Sequence, residues 1–309
     1  MQQARLREVR WEAEGILAFR LEPPDGGGFP AFTAGAHIDV ELGAGLTRSY
    51  SLLSDPARRD GYEIAVQLEP GSRGGSRAIH ERWRPGDMVS ISAPRNHFPL
   101  VEDAPHSVLI AGGIGITPML SMIARLEALG RSWELHYAVR TRARGAFLDR
   151  LEPYPSAGVT IDDEPETPRL DLERILASAG DAHVYCCGPQ GMLDRYRSLG
   201  EGLGERLHYE YFAADTEVAR DGGYQLRLAK RGVTLDVDAG ESMLDALLNA
   251  GVDVGFACSE GICGSCRVAV LDGVPDHRDL FLTEPEKQEN RSIMVCCSGS
   301  RSPVLTLDL

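Results

Sequence analysis

Seven cysteines in a chain of 309 residues all lie beyond residue 185, and three of them crowd into one nine-residue stretch, CSEGICGSC, from Cys258 to Cys266. Two more follow in MVCCSGS, so Cys258, Cys263, Cys266 and Cys296 are spaced C-x4-C-x2-C-x29-C, with Cys297 directly after. Closely spaced cysteines serve disulfides, structural zinc, catalytic thiols or iron–sulfur clusters, and the spacing separates these uses. Zinc usually takes two C-x2-4-C pairs or cysteines combined with histidines, whereas this chain offers one C-x2-C, an x4 interval and one distant partner. An odd cysteine count suits a disulfide framework poorly. A nucleophilic thiol needs a base, and no histidine follows the stretch until His277.

The C-x4-C-x2-C…C order is the plant-type [2Fe–2S] spacing, with Cys258, Cys263, Cys266 and Cys296 as ligands. Gly261 and Gly264 free the loop to wrap a cluster. Cys296 is expected at the end of a buried strand facing the cluster, and Cys297 on the opposite face. A cluster needs an electron source, which directs attention upstream.

At this length two or three domains are expected. The composition, 43% hydrophobic and 25% charged, is that of a globular protein, and a net charge of −14 disfavours nucleic acid and anionic lipid as partners. No apolar run approaches the ~20 residues that span a bilayer. The N-terminal MQQARLREVRWEAEGILAF has no apolar core of a signal peptide, so a cytoplasmic location is expected.

Residues 5–100 read as short strands, among them AHIDVEL (36–42), YEIAVQL (62–68) and DMVSISA (87–93), which suggest a small antiparallel barrel. RSYSL (48–52) sets Arg48 and Tyr50 on one side of a strand and Ser49 and Ser51 on the other. EPGSRGGSRAIH (69–80) is a glycine turn opening a helix, where backbone N–H groups, Arg73 and Ser76 suit an anion.

SVLIAGGIGITPMLSMIARLEALG (107–130) reads as strand, glycine turn and helix, with Thr117 as N-cap, Pro118 at the first helical position and Gly130 as the stop. WELHYAV (133–139) leads to Arg140, Arg142 and Arg144, and AHVYCCGP (182–189) ends in a second glycine–proline turn. Strands alternating with helices, and carrying Gly, Arg or Cys at their ends, describe a doubly wound α/β domain with its ligand above the strand ends. HYEYF (208–212) closes it. After AADTEVARDGG (213–223) come two alternating strands, a helix capped by Ser242 and Asp245, and the cysteine loop.

The pairing of an R-x-Y-S strand with a glycine turn, followed by G-G-x-G-x-T-P and C-G-P, resembles the ferredoxin–NADP reductase superfamily. With a C-terminal plant-type ferredoxin, the chain looks like the phthalate dioxygenase reductase family, the class IA reductases of Rieske non-haem iron oxygenases and O-demethylases. The resemblance implies a flavin β-barrel over 1–103, an NAD(P)-binding α/β domain over 104–215, a linker over 216–223 and a β-grasp ferredoxin over 224–309. It implies FMN held by Arg48, Ser49, Tyr50, Ser51, Arg73, Gly74, Gly75 and Ser76, with Phe212 covering the flavin. NADH would lie along Gly112, Gly113, Gly115, Thr117, Arg140, Cys187, Gly188 and Pro189, with Thr117 and Cys187 placing the nicotinamide.

NADH delivers two electrons together and a [2Fe–2S] cluster accepts one, and a flavin reconciles the two counts. The implied protein is a monomeric NADH-dependent reductase feeding a Rieske-type terminal oxygenase, docked around Ser259, Glu260 and Ile262. The alternatives are an FAD-containing reductase of a diiron or P450-type monooxygenase, and a ferredoxin carrier fused to an inactive flavoprotein scaffold.

Overall fold

The computed structural model describes residues 1–43, 46–70, 74–163, 169–212, 218–256 and 258–309. The chain forms two compact units, Met1–Phe212 and Ala213–Leu309. Among the described residues no helix is long and apolar enough to cross a membrane.

The first unit begins with β1 (Gln2–Ala13), β2 (Ile16–Glu22), β3 (His37–Glu41), β4 (Thr47–Ser51), β5 (Tyr62–Gln67), α1 (Gly75–Arg82) and β6 (Met88–Ile91). The strands form an antiparallel sheet in the order β4-β3-β6-β1-β2-β5. It curls until the chain beyond β4 meets β5, where Leu53 N–H donates to the Glu63 carbonyl at 3.0 Å. The expected antiparallel barrel is thus a curled half-barrel. The expected alternation fails in β3, whose His37 to Val40 are all buried. Asp39 is tolerated there because Ser49 Oγ donates to it at 2.7 Å and Arg95 pairs with it.

A parallel sheet follows, built from β7 (Ser107–Gly112), α2 (Ile116–Leu129), β8 (Trp133–Val139), α3 (Leu148–Leu151), β9 (Ala157–Ile161), α4 (Leu172–Ser178), β10 (His183–Cys187), α5 (Gln190–Gly200) and β11 (Leu207–Glu210). Its order is β11-β10-β7-β8-β9. The chain runs outward from β7 to β9, then returns to the other side of β7, so the topological switch point lies between β7 and β10. Every residue of β7 is buried, as a central strand with both faces covered requires.

The two sheets share one core. Phe98, Ala34 and Leu53 pack in the same cluster as Leu109, Met122 and Tyr185. The Gly35 N–H donates to Ser121 Oγ at 3.1 Å, and Val101 N–H donates to the Tyr185 hydroxyl at 2.9 Å. Glu63 adds an ionic clasp, accepting from Arg150 on α3 and from Arg10. Burial alone would raise the Glu63 carboxyl, but the two guanidiniums prevail and hold it below its ordinary value.

The second unit contains β12 (Tyr224–Leu228), β13 (Val233–Val237), α6 (Met243–Asn249), β14 (Arg267–Asp272), β15 (Pro275–Asp276), α7 (Glu284–Glu289), β16 (Ser292–Met294), β17 (Gly299–Ser300) and β18 (Val304–Leu307). The main sheet runs β13-β12-β18-β14-β16, with β12 and β18 parallel and the other neighbours antiparallel. Helix α6 opens on the Ser242/Asp245 capping box, and α7 on a second one, Thr283/Glu286. Of the stretch expected as linker, Ala219 is buried and its N–H donates to the Cys297 carbonyl at 2.8 Å.

A stacked ring pile stiffens β10 and β11: His208 lies on Tyr185 at 4.5 Å and meets His183 at 2.8 Å between ring nitrogens. Burial, with His183 second, pushes His208 down from 6.5 to about 4. The fold therefore resists a proton that the unfolded chain accepts, and this contribution to stability is lost as pH falls from 6.5 toward 4. His208→Phe keeps the stack and removes the titration, so its melting temperature should fall less steeply across that window than the wild type's. An unchanged slope in thermal unfolding would contradict this.

Candidate functional site

The flavin cradle expected from RSYSL and the glycine turn comes together at the start of α1. Gly74 precedes the helix at φ 97°, a left-handed conformation that glycine adopts without strain. Arg48 lies across the first helical residue, since a Cβ added at Gly75 would sit 2.9 Å from Arg48 Cγ. The first turn of α1 carries no acidic side chain, as an anion-binding helix start requires. Ser76 Oγ accepts from Glu69 N–H at 3.2 Å.

Tyr50 shares its strand face with Arg48, and burial pushes its phenol up, so it stays neutral. Ser51 is buried. The Ser49 hydroxyl is committed to Asp39, behind the strand. Arg73 lies outside the described residues. The strand thus offers a neutral ring and a guanidinium, the latter beside a glycine-lined helix start, groups suited to a planar aromatic and a phosphate.

The nucleotide crevice is built by two turns that interlock. A Cβ added at Gly115 would fall 2.2 Å from the Cys187 carbonyl oxygen, and one at Gly112 would fall 2.7 Å from the Pro189 ring. Only glycines allow the end of β7 to approach the end of β10 so closely. Gly113 turns the chain at φ 55° into a 3-10 turn, Gly113–Gly115, that runs straight into α2.

This continuity corrects the expected helix start. Helix α2 opens at Ile116 with Gly115 as its cap, so Thr117 lies inside the first turn, and its hydroxyl donates to the Ile114 carbonyl at 3.0 Å. Pro118 is still within the first turn, where its missing N–H costs little. Gly130 ends the helix in the left-handed conformation, as expected.

Glu210, which the motifs did not single out, lies beside Cys187 in the register of β11 and β10. The residue is half-buried, but its Oε2 is shielded from solvent and has no hydrogen-bond partner among the described residues. Burial pushes its carboxyl from 4.5 to about 8. Burial, then the neighbouring Glu210, also raises the Cys187 thiol, which stays protonated. Gly188 joins the same crevice, 3.1 Å from Gly112 by its added Cβ.

Arg140 is exposed beyond β8, and Arg144 reaches Glu14 at 3.8 Å. Phe212 is 37% exposed, just after β11.

In the second unit Cys258, Cys263, Cys266 and Cys296 are all buried. Among the described residues no three His, Cys, Asp or Glu side chains are grouped around a single ion position. The four cysteines contact one another in a connected set, Cys263 with Cys258, Cys258 with Cys296 and Cys296 with Cys266. Hydrogen bonds from Cys263 and then Cys296 pull the Cys258 thiol down, and contact with Cys296 pulls Cys266 down; the same contacts push Cys263 and Cys296 up. Glu260 N–H points at Cys258 Sγ, 3.4 Å away. Four sheltered sulfurs competing for protons, with a backbone N–H turned toward one of them, fit a thiolate-ligated cluster.

The loop is locked from beneath. Ser259, Gly261 and Gly264 have φ of 56°, 73° and 73°. A Cβ at Gly261 would fall 2.5 Å from Cys297 Sγ, and one at Gly264 would fall 2.4 Å from the Phe281 ring. Cys297 is therefore not on an opposite strand face. Strand β16 ends at Met294, Val295 to Cys297 form a turn, and Cys297 Sγ supports the cluster loop while also touching Cys296.

Two outcomes follow from these contacts. Glu210 holds its proton in the fold and releases it when unfolded, so stability is lost as pH rises from 4.5 to 8. Glu210→Gln should flatten that decline in thermal unfolding, and an unaltered pH profile would contradict the burial of the carboxyl. Gly261→Ala combines ~1–2 kcal/mol of left-handed strain with the clash on Cys297, and should lose iron and visible cluster absorption. Retention of full iron content would contradict the locking.

Residues 226–299 match the model of the 2Fe-2S iron-sulfur cluster binding domain. Over 307 residues the chain is 48% identical to a phenoxybenzoate dioxygenase subunit beta of Ectopseudomonas oleovorans, covering 99% of this chain and 96% of that one. The solved phthalate dioxygenase reductase, a modular structure for electron transfer from pyridine nucleotides to [2Fe-2S], matches with a TM-score of 0.80 and 38% identity over 99% of this chain and 97% of its own. An intact type IV self-sufficient cytochrome P450 monooxygenase matches with a TM-score of 0.84 and 39% identity over 100% of this chain, which spans 41% of that longer one. With two full-length relatives above a third identical and the cluster domain in place, the chain belongs to the phthalate dioxygenase reductase family of oxygenase reductases.

Proposed function

We propose that this protein is an NADH-dependent reductase that carries FMN and a [2Fe–2S] cluster and passes electrons to a Rieske-type non-haem iron oxygenase or O-demethylase. The observation that carries the reading is that one chain holds both the interlocked β7–β10 crevice and the four-cysteine loop. FMN, when bound, supplies the exchange between two-electron and one-electron transfer.

The residues of this chain do the positioning. Gly74, Gly75 and Ser76 receive the phosphate at the start of α1, Arg48 adds charge, and Tyr50 lies against the ring. The start of α2, with Gly113 and Gly115, receives the pyrophosphate of NADH. Thr117 and Cys187 border the nicotinamide, and Cys187 stays a neutral thiol. Glu210 keeps a proton on its carboxyl beside it. Cys258, Cys263, Cys266 and Cys296 hold the cluster, and Ser259, Glu260 and Ile262 form the docking face. The protein acts as a monomer in the cytoplasm.

The fused P450 relative favours a second reading in which the acceptor is a haem monooxygenase. Reconstitution with a Rieske oxygenase and with a P450, each followed by product formation, separates the two. The flavin assignment is tested by extraction, which should yield FMN rather than FAD. Cys296→Ser should lose the cluster and cytochrome c reduction but keep NADH–ferricyanide reduction through the flavin. Cys297→Ser, smaller by little and still seated under Gly261, should keep both. Loss of ferricyanide reduction in Cys296→Ser, with flavin still bound, would contradict the assigned order of carriers.

A further inference from the structure

The crevice between the ends of β7 and β10 holds a side chain that neither the motifs nor the glycine turns account for. Met192, in the first turn of α5, is half-buried, and its N–H donates to the Pro189 carbonyl at 2.9 Å. Its thioether lies over both glycines that edge the crevice. A Cβ added at Gly188 would fall 2.4 Å from Met192 Cε, and one at Gly112 would fall 3.0 Å from Cε and 3.2 Å from Sδ.

The glycine contacts here are of two kinds. Gly115 faces the Cys187 backbone at 2.2 Å and Gly112 faces the Pro189 ring at 2.7 Å, and neither obstacle yields easily. At Gly188 the foremost obstacle is the terminal methyl of an unbranched side chain with three rotatable bonds, and the Gly112 backbone follows at 3.1 Å. Backbone conformation does not explain glycine at 188, which is not among the residues with positive φ. What glycine provides there is volume above the switch point, where ligands of open α/β sheets bind. Met192 fills that volume with a group able to move.

We propose that Met192 is a specificity residue of the nicotinamide subsite: its thiomethyl group and the nicotinamide ring compete for the volume over Gly188, and the ring enters by displacing it. The ADP-ribose portion, received at the start of α2, leaves Met192 in place. The inference rests on the reading of the β7–β10 crevice as the pyridine nucleotide site.

Calorimetric titration of the holoenzyme with NAD+ and with ADP-ribose tests it. Met192→Ala should bind NAD+ about three- to tenfold more tightly, the surrender of a small set of apolar contacts, while ADP-ribose affinity stays within about twofold. Met192→Leu fills similar volume with a stiffer group, so it should show no gain for NAD+ and unchanged ADP-ribose binding. NAD+ affinity unchanged or weakened in Met192→Ala, an equal gain for both ligands, or a gain for NAD+ in Met192→Leu overturns the proposal. If Met192→Ala loses both ligands through misfolding, the Met192→Leu titration decides alone. A wild type that binds neither ligand overturns the nucleotide assignment itself, and the role of Met192 with it.

Discussion

The approach of Gly115 to the Cys187 carbonyl is the contact on which the nucleotide half of the molecule depends. A single methyl at residue 115 would need to occupy space 2.2 Å from a backbone oxygen, so the ends of β7 and β10 can meet only where that side chain is absent. Their meeting fixes the crevice at the topological switch point and aims the start of α2 into it. On the other side of β10, the register with β11 sets Cys187 next to Glu210, where burial keeps both groups protonated. The second unit repeats the device with Gly261 and Gly264 against Cys297 and Phe281. In both places glycine allows chain segments to touch, and a site forms where they do.

The first unit is held together by apolar burial across two sheets rather than by the ionic clasp alone. Phe98 and Leu53 from the barrel side share a core with Leu109 and Tyr185 from the parallel sheet. Surface ion pairs such as Arg144–Glu14 add little in comparison. Glu63 is different, since it is sheltered and accepts from two arginines, and losing one of them would leave a buried charge poorly compensated. The strand and helix start expected to hold a flavin and the nucleotide crevice thus belong to one compact unit.

Much of this was legible in the sequence because some patterns carry their own geometry. The cysteine spacing, the glycine turns, the capping box at Ser242 and the stop at Gly130 each constrain the chain locally; the structure bears out the capping box and the stop, and the cysteine stretch falls within the matched 2Fe-2S domain. Other features depend on what the fold brings near. Glu210 is one acid in a short strand, and nothing in HYEYF signals that its carboxyl is dry and lies beside Cys187. Met192 reads as an ordinary helical apolar residue. Thr117 looked like a helix cap because the pattern T-P suits one, but the preceding glycine turn already runs into the helix. Cys297 follows the apolar run IMV, whose period-two alternation would set it opposite Cys296, but the strand ends at Met294 and both cysteines lie in the turn.

The central claim is that electrons from NADH reach the four-cysteine cluster within this one chain. An anaerobic titration of the holoenzyme with NADH, followed by electron paramagnetic resonance, tests it most directly. The account predicts the rhombic signal of a reduced [2Fe–2S] centre growing with added NADH. A protein with full flavin and iron content whose cluster stays silent under excess NADH, yet is reduced by dithionite, would contradict it.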